Sequence, residues 1–349
     1  MISFNIQKPD TAITTALQDK INNLTKPKGS LGTLEEIALQ IGLIQQTLSP
    51  ALHHPVNVIY ASDHGIADEG VSKSPKEVTR QVIHNFLNGG AGVCFLSRQH
   101  GFEIKIVDGG VDFDFPAIPE LIDRKIRKGT RNFLYEAAMT QDEMELAIQY
   151  GADIVTDCYN KGCNVISFGE MGIGNTTTSS AVASVLLGKR AEEVTGRGAG
   201  LSSEGLQRKI RVIRQALEKN RPDPGDVLDV VAKVGGYDIA GMCGLFLGGA
   251  IYRIPVLIDG FISSVAALCA VRLAPLAGKY LFASHCSKEP GGKRVLDALG
   301  MSAMIVCDLS LGEGSGAVAA VPLLEMGLDV YRKMSTFEEI QVEQYQELK

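Results

Sequence analysis

The chain has 349 residues, 45% hydrophobic and 21% charged, with no Trp, which suits one large α/β domain with an appendage or two ordinary domains and excludes a disordered chain. A net charge of −6 at pH 7 leaves no basic footprint for nucleic acid. The opening MISFNIQKPDTAITTALQDK lacks a charged start followed by an apolar run, and the longest apolar stretch, FISSVAALCAVRLAPLAG at 261–278, contains an Arg and falls short of a bilayer span, so a soluble, cytoplasmic protein without a membrane partner is expected.

In chain order, residues 11–24 and then 33–48 carry helical periodicity. In the second segment Leu34, Ile37, Ile41, Ile44 and Leu48 recur at three- and four-residue spacing, with Thr33 and Glu36 placed as a capping box. FEEIQVEQYQEL at 337–348 has a similar character. Helices from both termini are therefore expected to form a small domain, 1–54 together with 323–349, beside a large α/β domain over 55–322.

Between them the pattern changes. Five short apolar runs each finish in an acidic residue beside or near glycine: VNVIYASDHG (56–65), FEIKIVDGG (102–110), NVISFGEMG (164–172), IPVLIDG (254–260) and AMIVCDLSLGEG (303–314). Segments of helical period, such as 177–188 and 206–220, lie between the runs. This alternation predicts a mostly parallel sheet with helices on both faces. Ligands bind such sheets beyond the carboxyl ends of the strands, where Asp63, Asp108, Glu170, Asp259 and Glu313 are expected to gather. NRPDPGD at 220–226 reads as a surface loop.

Three glycine-rich segments could carry chemistry. GEMGIGNT (169–176) has the glycine spacing of a phosphate loop but Asn and Thr where a nucleoside triphosphatase would have Lys and Ser or Thr. It is either a capped strand-to-helix turn or a site for a single phosphate at a helix N-terminus. TGRGAGLSSEG (195–205) does not match the dinucleotide fingerprint, since position 201 is Leu; it is a flexible connection or a second wall of an anion site, with Lys209 as the point charge. LGEGSGA (311–317) sets Glu313 between glycines. Desolvation there would raise its pKa towards that of a general base, and the alternative is a surface turn.

Asp63, His64, Asp68 and Glu69 form a further polar cluster, read as solvated or capping groups more readily than as metal ligands. The seven cysteines include no Cys-x-x-Cys pair, and His285-Cys286 is the only adjacent His/Cys pair, so buried thiols are expected and no zinc site.

Taken together and in this order, KPKGSLGTLE (26–35), DHG (63–65), SPKEVT (74–79), GEMGIGNTT (169–177), KVGGYD (233–238), LIDGF (257–261), SH (284–285) and LGEGSGA (311–317) closely resemble the nicotinate-nucleotide–dimethylbenzimidazole phosphoribosyltransferase (CobT) family over nearly the whole chain. The resemblance implies a Rossmann-like α/β domain with a small helical domain, a homodimer, and no cofactor. It implies transfer of phosphoribose from nicotinate mononucleotide to 5,6-dimethylbenzimidazole with inversion at the anomeric carbon. By the same resemblance Glu313 is the general base and Glu170 lies beside the reacting centre. Gly172, Gly174, Asn175, Thr176 and Thr177 of the turn, with Gly198 and Lys209, are implied around the nucleotide. Ser74 is implied near the benzimidazole, and Asp259, Ser287, Leu311 and Gly312 complete the implied substrate contacts.

The match departs at one place: a family glutamine eight residues after the serine aligns with Val82, next to Gln81, so the resemblance does not specify the acceptor base. The implied chemistry suits the residues. The pyridinium of the nucleotide leaves as a neutral ring without a metal, and the chain has no Asp-Asp pair of the kind that pyrophosphate-expelling, Mg²⁺-dependent relatives show. A binding protein that keeps the pocket without turnover is a second reading, disfavoured by the presence of both glutamates. An NAD-dependent dehydrogenase is a third, disfavoured by the missing fingerprint.

Overall fold

The computed structural model describes residues 4–344. Among these residues six parallel strands form one sheet: β1 (Val56–Ser62), β2 (Glu103–Gly110), β3 (Leu121–Asp123), β4 (Ile166–Met171), β5 (Val256–Ile258) and β6 (Leu281–Ala283), ordered β3-β2-β1-β4-β5-β6. This is the doubly wound order, in which the direction of strand addition reverses between β1 and β4 while all strands stay parallel, leaving a crevice at their carboxyl ends. Every residue of β1 is buried, so both faces of the sheet are covered. Valine and isoleucine fill it because a strand packed on two faces has no solvent side to alternate with.

Thirteen α-helices among the described residues connect and cover the strands: α1 (Thr14–Asn22), α2 (Thr33–Gln45), α3 (Glu77–Leu87), α4 (Gly92–Gln99), α5 (Gln141–Asn160), α6 (Asn175–Leu187), α7 (Ala191–Val194), α8 (Ser203–Asn220), α9 (Val227–Val234), α10 (Tyr237–Ile251), α11 (Phe261–Leu273), α12 (Pro290–Leu299) and α13 (Ser315–Lys333). No helix among the described residues is long and apolar enough to cross a membrane.

Four of the five expected strands form. The fifth run, 303–314, forms no strand: it meets the sheet through a parallel bridge between Ile305 and His285, a hydrogen bond from Met304 N to Ala283 O (3.0 Å), and the approach of Glu313 to Asn57 and Gly169. Glu313 therefore sits at the entrance to α13 and not at a strand end. Strands β3 and β6 are three residues each, as is β5, but without its apolar run ending in an acid beside glycine, and are defined by pairing with β2 and β5.

The helix ends also differ from expectation. Gly32, with φ 49°, precedes α2 in place of a capping box, and Glu35, not Glu36, reaches back to accept from Leu31 N (2.9 Å) while pairing with Lys26 (2.9 Å). The left-handed Gln46 stops α2 before Leu48, which is exposed. Residues 337–341 form turns and 342–344 are irregular, instead of a helix: Thr336 and Glu339 bond reciprocally, as at a helix start, but Phe337 N bonds to Asn23 O and Leu24 pairs with Thr336. Residues 345–348 of that expected helix lie outside the described residues. Helix α13 runs unbroken through position 322 and packs its later turns on α2, where a Cβ on Gly327 would stand 2.8 Å from Leu34 O.

Helix α10 is the internal pillar, buried at every residue from Tyr237 to Ala250. It approaches α5 at backbone distance: a Cβ on Gly244 would fall 1.9 Å from Ile148 O, and one on Gly151 would fall 2.0 Å from Gly241 O. Backbone cannot yield as a side-chain tip can. Gly244→Val is expected to cost more than about 3 kcal/mol in urea unfolding. Gly278→Ala, whose added methyl would meet only Val271 at 3.6 Å or beyond, should stay within about 0.5 kcal/mol of the parent.

Candidate active site

Beyond the carboxyl ends of β4, β5 and β6 lies a cleft of about 190 Å³. Glu170, at the end of β4, lines one wall, and the turn from Gly172 into α6 follows directly. Leu311, Gly312 and Glu313 line the cleft beside Glu170, with Gly198 and Ser287 also on the lining. Segments distant in sequence meet here because each leaves the carboxyl end of a neighbouring strand or packs on one that does.

Glu170 is buried, and Asn175 Nδ2 donates to its carboxylate. Burial, with the charges of Asp238 and Asp259 added, raises its carboxyl to about 8. The 311–314 loop lies directly against it, since a Cβ on Gly312 would stand 2.5 Å from Glu170 Oε1. Only glycine permits that approach.

Glu313 has φ 65° and stands between Gly312 (φ 82°) and Gly314 (φ 85°). A left-handed glutamate costs roughly 1–3 kcal/mol and persists only where its surroundings over-determine it. Three supports do so. Asn57 Nδ2 donates to Glu313 O (3.0 Å), and Ser167 Oγ holds Asn57 Oδ1 (2.7 Å). The Asp259 carboxylate accepts from Gly314 N (3.1 Å), Gly316 N (2.8 Å) and Ala317 N (3.1 Å). Gly169 lets β4 pass underneath, where a Cβ would overlap Glu313 C at 2.0 Å. The Glu313 side chain accepts a long hydrogen bond from Val93 N (3.4 Å), and burial raises its pKa.

Below the glycine turn lies a buried polar chain. His64 Nε2 is 3.2 Å from Asp238 Oδ2, and Nδ1 is 3.1 Å from Thr178 Oγ1. The turn itself is hung from α3, since Thr79 Oγ1 accepts from Ile173 N (3.1 Å) and donates to Asp63 (2.6 Å). Lys209 is fully buried, donates to Thr176 Oγ1 (2.8 Å) and Gly196 O (3.2 Å), and is lowered by burial to about 8.

Of the five strand-end carboxylates expected to face the crevice, only Glu170 and Glu313 line it. Asp63 accepts from Asp112 N and Thr79, Asp108 accepts from Val111 N and pairs with Lys125, and Asp259 is taken up by the α13 entrance. Their acceptor atoms are spent on loop backbone, which acidic residues beside glycine serve as readily as they serve a ligand.

Among the other predicted residues, Gly172, Asn175, Thr176, Gly198, Ser287, Leu311 and Gly312 line the cleft. Gly174, Thr177 and Lys209 lie behind its wall, and Ser74, half-buried before α3, does not line it; nor do Val82 and Gln81. Sequence reasoning missed Asn57, though an amide in the middle of an apolar strand was a legible signal. It also missed Phe261 and Glu289, both on the lining. Five cysteines are buried, Cys286 is half-buried and Cys307 is exposed, all as free thiols. Among the described residues no group of three His, Cys, Asp or Glu is arranged to hold a metal ion.

Comparison with known proteins shows the family. A family model described as phosphoribosyltransferase matches residues 6–342. A nicotinate-nucleotide–dimethylbenzimidazole phosphoribosyltransferase from Parabacteroides distasonis is 61% identical over 99% of this chain and 100% of its own length. One of the same name from Bacteroides fragilis is 49% identical over the same shares of the two chains. The crystal structure of CobT from Thermus thermophilus superposes with a TM-score of 0.92 at 39% identity, covering 95% of this chain and 99% of that one. By sequence and by fold, the chain belongs to the nicotinate-nucleotide–dimethylbenzimidazole phosphoribosyltransferase family.

Proposed function

We propose that this protein transfers the phosphoribosyl group of nicotinate mononucleotide to 5,6-dimethylbenzimidazole, giving α-ribazole 5′-phosphate and nicotinate. The observation that carries the reading is the pairing, in one cleft, of a glycine turn opening α6 with a strained, desolvated glutamate facing it. The 5′-phosphate lies at the turn, held by backbone N–H groups and the α6 dipole, with Lys209 supplying charge from behind. The sugar then extends towards Glu170, so that phosphate and carboxylate serve opposite ends of the nucleotide.

At C1′ the bond to the pyridinium nitrogen breaks and its electron pair returns to the ring, which leaves as nicotinate. One benzimidazole nitrogen forms the new bond from the opposite face, inverting the centre, while Glu313 takes the proton from the other nitrogen. A carboxylate raised by burial is a better base for that proton than a solvated one. Leu311 and Gly312, on the cleft wall, serve the acceptor, and the protein acts in the cytoplasm as a homodimer.

Glu170 holds its proton at neutral pH in the ligand-free protein, because its carboxyl stands near 8 against an ordinary 4.5. The unfolded chain releases that proton, so the native state binds more protons and loses stability as pH rises through this window, by up to roughly 1.4 kcal/mol per unit. Unfolding free energies measured between about pH 5 and 8 should fall with pH, and Glu170→Gln should make the slope shallower; an unchanged slope would place the group's titration elsewhere.

For the reaction, purified protein in metal-free buffer with both substrates is expected to yield nicotinate and α-ribazole 5′-phosphate by chromatography with mass detection; nucleotide binding without transfer would overturn the assignment. Glu313→Gln should lower kcat by about 10²–10⁴-fold while nucleotide affinity changes much less. Near-normal turnover would remove Glu313 from the role of base.

A further inference from the structure

One of the backbone groups placed above around the nucleotide is engaged by an anion of the chain itself. Glu289, the residue before α12, lines the cleft and accepts a hydrogen bond from Gly198 N (3.0 Å) through Oε1. Its other oxygen, Oε2, is buried without a hydrogen-bond partner. That oxygen is seated against Gly196, where a Cβ would stand 1.9 Å away, so only glycine at 196 admits the carboxylate. The carbonyl of Gly196 holds Lys209 Nζ, which also bonds Thr176 Oγ1 at the first turn of α6. The carboxylate thus stands among the groups assigned to the nucleotide phosphate, near Lys209 yet forming no ion pair within 4 Å with it among the described residues. A buried carboxylate oxygen with no donor is costly, and the arrangement has the character of a contact made in default of a better one.

We propose that Glu289 is an internal competitor for the phosphate subsite: it occupies Gly198 N–H in the free protein and is displaced when the phosphate of the nucleotide arrives. The inference rests on the phosphate reading of the turn given above. Two anions cannot share one N–H group, and a phosphate near an unmoved carboxylate would meet like-charge repulsion in a poorly solvated cleft. Displacement moves the segment that also carries Ser287, whose hydroxyl accepts from Glu289 N (3.3 Å), and the turn closed by Gly292 N bonding to Glu289 O (2.8 Å). Phosphate binding is thereby coupled to rearrangement of 286–292. The competitor lowers apparent affinity by the fraction of protein in which it is engaged, and so favours ligands able to replace it with several hydrogen bonds.

Inorganic phosphate is the probe, titrated calorimetrically into full-length parent protein, Glu289→Gln, Glu289→Ala and Lys209→Met. The expected result is binding to the parent, binding about tenfold tighter in Glu289→Ala with Glu289→Gln between the two, and weakened binding in Lys209→Met. If the parent binds phosphate and loses affinity in Lys209→Met while the Glu289 variants bind no tighter, the subsite stands and the competitor role is overturned. If neither parent nor Glu289 variants bind phosphate, the phosphate reading fails and the proposal with it. A crystal structure of the parent with phosphate bound provides a readout that does not depend on the variants: Glu289 should have left Gly198 N, and its retention there beside bound phosphate overturns the inference.

Discussion

The carboxylate of Asp259 is the contact on which the site depends. By accepting three backbone N–H groups from Gly314, Gly316 and Ala317, it ties the end of β5 to the start of α13. Hydrogen bonds to an ionised acceptor are stronger than neutral ones, and three on one carboxylate hold the glycine-rich entrance in a conformation it would not keep alone. Glu313 is left-handed as a consequence. Its strain is offset by neighbours that are themselves buried and satisfied: Asn57 on its carbonyl, Ser167 on Asn57, and the bare backbone of Gly169 beneath.

Charge burial gives the cleft its chemistry. Glu170 is raised, Glu313 is raised and Lys209 is lowered, each chiefly because its ionised form has lost water. Neighbouring acids add to the effect, Asp238 and Asp259 at Glu170 and Asp259 at Glu313. In the pose proposed above, a nucleotide anionic at one end and cationic at the other is matched by a cation and helix dipole at the first and carboxyls at the second. The same low-dielectric surroundings that make these groups costly to bury make each interaction with substrate stronger than it would be in water.

Legibility in the sequence followed the range of the cause. Alternation of apolar runs with helical segments was enough for a parallel sheet, and β1, β2, β4 and β5 formed where they were expected. Strands β3 and β6 are as short as β5 but lack its apolar run closed by an acidic residue beside glycine, so they have no local pattern to read. The run 303–314 looks like a strand to any local criterion, but β6 leaves it only one bridge, at His285. At the site the glycines flanking Glu170 and Glu313 were informative because close backbone approach demands them. The five strand-end acids could not be sorted from sequence, because a carboxylate that binds backbone N–H groups and one that faces a ligand have the same local signature.

Composition, periodicity and ordered motifs by themselves determined the α/β class, the family and the two glutamates at the ends of glycine-rich turns, since these rest on spacing along the chain. Tertiary structure alone decided which acids face the cleft, that Asn57 and Asp259 hold Glu313 in a left-handed backbone, and that Glu289 reaches Gly198 across 91 residues. Those outcomes depend on burial and on contacts between distant segments, where desolvation and the placement of backbone donors are properties of the assembled chain and of no local stretch of it.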